Sequence, residues 1–84
     1  MHDIHEANRI AQIINEHLRK HNLKKLKTVD IELGSVIEHG QDISPENLDF
    51  NLRMILKESV NEQTRINIKK TGGEAWKLVA IDAE

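Results

Sequence analysis

Just past Asn22 the chain changes its hydrophobic period. Before that point apolar residues recur at Ile4, Ala7, Ile10, Ala11, Ile14 and Leu18. That is the three-and-four spacing of one helix face, with Ile13 broadening it. Asp3 and Glu6 sit near the start of this helix and Arg19, Lys20 and His21 near its end, as the helix dipole prefers. Asn22 is a good left-handed stop. From Lys27 to Gly34 the pattern becomes strict alternation, Val29, Ile31 and Leu33 against Thr28, Asp30 and Glu32. This predicts a strand with one buried face.

A loop over 35–43, holding His39 and Gly40, leads to a second helix in SPENLDFNLRMILKESV. Ser44 is placed as its N-cap, Pro45 at the first helical position and Glu46 in the first turn. Leu48, Leu52, Ile55, Leu56 and Val60 predict its inner stripe, extended by Phe50 and Met54. TRINIKK alternates again, with Thr64, Ile66 and Ile68 on one side. EAWKLVAIDA sets Trp76, Leu78 and Ala80 against Val79, Ile81 and Ala83. The intervening TGG predicts a turn joining these two strands as a hairpin. The last strand is apolar on both parities, which suits a central position. The expected fold is α+β: a two-layer sandwich of two helices on a three-stranded mixed sheet, in the order α-β-α-β-β.

The 84 residues make one domain. A net charge of −2 and a pI near 6.2 argue for neither nucleic acid nor an anionic membrane as partner. Phe50 and Trp76 are the only aromatic residues, which removes base-stacking platforms. There is no cysteine, hence no disulfide, zinc–thiolate site or cysteine nucleophile. No apolar run approaches the ~18 residues of a membrane span. The first ten residues do not read as a secretory signal, so a cytoplasmic location is expected.

Catalysis finds little support. TGG precedes no helix, so no phosphate loop is present. Ser35, Ser44 and Ser59 lack a nucleophile's context, and no pair of acidic residues stands in apolar surroundings. The chain is not expected to be an enzyme. His17 and His21, spaced i, i+4, share one side of the first helix and have chelating spacing. They flank the apolar stripe near the helix C-terminus and are read first as helix-end imidazoles. His39 is read as a solvated loop residue.

MHDIHEANRI carries the more specific chemistry. Methionine is normally retained before a bulky His2. The Met1 amine, the His2 backbone nitrogen and a His2 imidazole nitrogen then form adjacent fused chelate rings. The Asp3 backbone nitrogen or carboxylate supplies a fourth in-plane donor. Such a planar set suits Ni(II) and Cu(II) better than Zn(II). The α-amine titrates ordinarily near ~7.7–8.0, so binding displaces protons and weakens as pH falls.

MHDIHEANRIAQII resembles the opening of the HypA nickel metallochaperones, which begin Met-His-Glu and run directly into an amphipathic helix. KTVDIELG is similar to their glycine-ended strand, SPENLDFNLRMILKES to their Pro-Glu-x-Leu-x-Phe helix, and TRINIKK and GGEAWKLVAIDAE to their two last strands. The resemblance spans nearly the whole chain. It implies Ni(II) bound through Met1, His2 and adjacent backbone nitrogens, with Asp3 where the family has glutamate. It also implies delivery to a hydrogenase or urease precursor together with the GTPase HypB. His5 has no firm counterpart and is read as the first exposed side chain of the helix.

Two departures stand out. Family members carry a zinc domain with two Cys-x-x-Cys pairs between the last two strands, whereas here TGG, around 71–73, stands in its place and no zinc is expected. The loop SVIEHGQDIS before the second helix is longer. An alternative is a degenerate HypA-like interaction module that binds a protein without delivering metal. If one sheet face is uncovered, Asp30 and Glu32 with Arg65, Asn67 and Lys69 give it both signs of charge. That is a solvated face or a docking surface, including one for self-association.

Overall fold

A computed structural model describes residues 5–38 and 41–84. Its elements are α1 (His5–Lys20), β1 (Leu26–Leu33), β2 (Ile37–Glu38), β3 (Gln41–Asp42), α2 (Pro45–Ile55), β4 (Arg65–Lys70) and β5 (Trp76–Ala83). The fold is α+β, with two helices and a three-stranded mixed sheet. The loop expected over 35–43 contains a small antiparallel ladder, β2 against β3.

α1 buries Ala7, Ile10, Ala11, Ile14 and Leu18, while Ile13 is 43% exposed and does not widen the stripe. Asn22 ends the helix in the left-handed region, φ 56°. The Asn22 N–H donates to Arg19 O at 3.3 Å and the Leu23 N–H to Leu18 O at 2.8 Å. This pair of bonds satisfies carbonyls of the last turn and turns the chain into β1.

α2 begins as expected. The Ser44 hydroxyl accepts from the Asn47 N–H at 3.1 Å, and Pro45 fills the first position. Its buried face is narrower than the sequence suggests. Leu48 and Leu52 are buried, with Leu56 just beyond the end, but Phe50, Met54 and Ile55 are 48%, 53% and 40% exposed. Phe50 lies about 200° round the helix from Leu48, so one packing face cannot take both.

β1 is the central strand, and the hairpin expected of the last two strands does not form. β4 pairs parallel to β1 from Thr28↔Arg65 to Leu33↔Lys70. β5 pairs antiparallel to its other side, from Leu26↔Ala83 to Leu33↔Trp76. The parallel pair follows from α2 standing between β1 and β4, because a parallel neighbour needs a crossover. A short link over 71–75 then carries the chain across the end of β1. Five residues easily span the ~10 Å of two strand spacings.

The apolar double parity of β5 has a different cause from burial on both faces. Its register shifts between Ala80, opposite Asp30, and Leu78, opposite Ile31, leaving Val79 as an extra residue. A bulge of this kind exchanges the inward parity. Trp76 and Leu78 pack on the core before it, Ile81 and Ala83 after it, while Val79 and Ala80 are exposed. The expected grouping of Ala80 with Trp76 and Leu78 is thereby overturned.

Val29, Ile31 and Leu33 join the buried residues of both helices in one aliphatic core, with Ile66 and Ile68 packed at its margin. The opposite sheet face exposes Arg65, Asn67, Lys69, Lys77 and Asp82 beside half-buried Asp30 and Glu32. Asn67 Nδ2 donates to Asp30 Oδ1 at 2.8 Å. Both signs of charge are present on this face. Among the described residues no helix is long and apolar enough to cross a membrane.

Candidate metal centre

Met1, His2 and Asp3, the expected ligands, lie outside the described residues, as does His39. The first described residues that follow Met1, His2 and Asp3 in sequence form the opening turn of α1. His5 opens the helix and is exposed. Glu6 reaches across to the sheet, where its Oε2 accepts from Trp76 Nε1. Its Oε1 accepts from Arg9 Nη1 at 3.3 Å. Trp76 is the first residue of β5 and sits opposite Leu33, the last of β1. A single carboxylate thus ties the start of the first helix to the start of the last strand. A half-buried indole N–H requires an acceptor, and the helix supplies it.

Directly beside this contact the 71–75 link lies against the end of β1. The Gly34 N–H donates to Ala75 O at 3.0 Å, the Ser35 N–H to Gly73 O at 2.7 Å and the Thr71 N–H to Leu33 O at 2.8 Å. A Cβ on Gly34 would stand 2.4 Å from Gly73 O and 2.7 Å from Ala75 O. Both are backbone atoms, so only glycine admits the link at this height.

On the other side of the same end, Lys70 Nζ donates to Gly34 O at 3.1 Å and to Asp42 Oδ2 at 3.0 Å. The hydrogen bond and charge of Lys70 lower the Asp42 pKa, helped by the Val36 N–H, which donates to Asp42 Oδ1 at 3.0 Å. The β2–β3 ladder is tethered to the sheet in this way. The first turn of α1, the 71–75 link and the ladder therefore share one end of the domain.

Among the described residues no three His, Cys, Asp or Glu side chains are grouped to hold a metal ion. His17 and His21 are brought together as a pair, their ring centres 4.6 Å apart and tilted by 48°. They stand near the opposite end of α1, about 18 Å along the axis from His5.

Sequence reasoning missed the roles of Glu6 and Gly34. Glu6 was explained by the helix dipole, and its partner lies 70 residues away. Gly34 ends a strand, but what presses on it is a segment remote in sequence. The one local signal was the indole N–H of Trp76, which had to find an acceptor.

A family model described as hydrogenase/urease nickel incorporation, metallochaperone, HypA matches residues 1–77, and the chain belongs to this family. A hydrogenase maturation factor HypA from Albidiferax ferrireducens is 29% identical over 82 residues, covering 98% of this chain and 69% of that protein. Family membership supports a role in nickel maturation of hydrogenase or urease.

Proposed function

We propose that this chain is a non-enzymatic nickel carrier that takes up Ni(II) at its amino-terminal end. The Met1 amine, the His2 backbone and imidazole nitrogens and an Asp3 donor are the ligands. Four nitrogen or oxygen donors in a plane suit Ni(II), which is cargo here rather than a resident cofactor. The observation that carries the reading is the family match, which begins at residue 1 and so includes the donor-rich segment itself.

Delivery goes to a hydrogenase or urease precursor with a HypB-type GTPase as co-worker. The zinc module of the family is replaced by the short link around 71–73, in keeping with a chain that contains no cysteine. The Glu6–Trp76 contact holds the first turn of α1 close to that link.

The test is calorimetric titration of Ni(II) into tag-free protein with native Met1, beside His2→Ala, at pH ~7.5, near the amine's range. About one tight equivalent, lost in His2→Ala and on acetylation of the α-amine, is the expected result. Identical tight binding by all three proteins overturns the assignment.

A further inference from the structure

From the geometry of His17 and His21 we propose a second divalent-metal site, at the C-terminal end of α1 and the residue just beyond it, separate from the amino-terminal chelate. Their spacing puts both imidazoles on one flank of the helix. In the fold their ring centres are 4.6 Å apart. A ligated imidazole holds its metal about 2.0–2.1 Å from nitrogen, hence about 3.2 Å from the ring centre. Ring centres 4.6 Å apart lie within the span of about 6.4 Å that two imidazoles can bridge around a shared ion.

An imidazole pair suits a borderline divalent ion such as Ni(II), Cu(II) or Zn(II). Water completes the coordination, since no third His, Asp, Glu or Cys among the described residues joins the group. Two further features favour an ion here. His17 is half-buried and His21 exposed, so a solvated ion can reach the pair from the His21 side. The site also lies at the C-terminal end of α1, where the helix dipole attracts positive charge. With two protein donors it is the weaker of the two sites.

The experiment uses the full chain in a His2→Ala background, with Ni(II) alone as titrant. The expected result is one weak equivalent, whose affinity falls about tenfold or more in His17→Ala and equally in His21→Ala, because a chelate loses its effective concentration when either arm goes. A matched signature comes from Cu(II), whose paramagnetism should broaden amide resonances around residues 16–22 in the His2→Ala protein and not in its His21→Ala derivative. Metal-free melting curves of all variants check that folding is intact. Unchanged affinity in either single variant, or broadening that ignores His21→Ala, overturns the proposal. Because every arm lacks His2, its outcome is independent of whether the amino-terminal site exists.

Discussion

The two ends of this domain are closed by different kinds of interaction. At the end where β1 begins, closure is mostly backbone to backbone. The Lys24 and Lys25 N–H groups donate to Glu84 O at 2.9 and 2.8 Å, and the Leu26 N–H donates to Ser59 O at 2.8 Å. Buried Thr64 adds its hydroxyl, donating to Leu26 O at 2.8 Å and accepting from the Asn61 N–H at 3.0 Å. At the end where β1 finishes, the ties are side chains: Glu6 with Trp76, and Lys70 with Asp42. The 71–75 link adds backbone bonds there that depend on Gly34, and the Ile43 N–H donates to Val36 O at 2.9 Å beside the ladder. One end is a permanent seam. The other is held largely by polar side-chain ties, of which the exposed Lys70–Asp42 pair is individually weak.

The largest expected effect tests the glycine. Gly34→Ala forces backbone apart at two carbonyl contacts and should cost about 3 kcal/mol by denaturant unfolding, in the upper range of overpacking. A loss within experimental error would mean that the link lies less closely on β1 than described. Thr64→Val keeps the shape but strands the Asn61 N–H and Leu26 carbonyl, and should cost about 1–3 kcal/mol. If that loss proves smaller than the loss from Trp76→Phe, the contrast between the ends fails.

Trp76→Phe removes the indole donor to Glu6 and trims the core margin. It should cost about 1 kcal/mol and increase hydrogen exchange in the first turn of α1 more than in its last. Uniform exchange along α1 would show that Glu6 is no anchor. Smallest is Asp42→Asn, read in the pH dependence of Tm. The folded-state pKa of Asp42 is lowered, first by the Lys70 hydrogen bond, so its stabilisation is present above the ordinary carboxylate value of 3.8 and is lost as pH falls through the folded pKa. The wild-type advantage should be constant above pH about 5 and vanish in stronger acid. An advantage that persists in acid would locate the tether elsewhere.

Much of this arrangement was legible in one dimension. Period 3.6 marked α1, Asn22 marked its end, and the Ser44–Pro45 pair marked the start of α2, because caps and faces are governed by residues within a few positions of each other. The alternation in β1 correctly separated Val29, Ile31 and Leu33 from Asp30 and Glu32. What misled was proximity: two strands close in sequence looked like a hairpin, yet each found β1. The same error made β5 seem central, because a bulge at Val79 imitates burial on both faces. Phe50 and Met54 looked like core, but their helix had one packing face to offer. For the candidate site, Met1, His2 and Asp3 were singled out by residue type and family resemblance and lie outside the described residues, whereas the ring spacing of His17 and His21 came only from the structure.

By itself the sequence determined α1, β1, α2, β4 and β5 as elements, the end of α1 and the start of α2, and the aliphatic faces of α1 and β1. All of these are local in the chain, written in residue type and spacing. Only the tertiary structure decided that β1 lies between β4 and β5, that Gly34 must admit the 71–75 link, and that Glu6 meets Trp76. Those outcomes depend on which remote segments satisfy one another's hydrogen bonds and apolar faces. That competition takes place in three dimensions, and no window of neighbouring residues contains it.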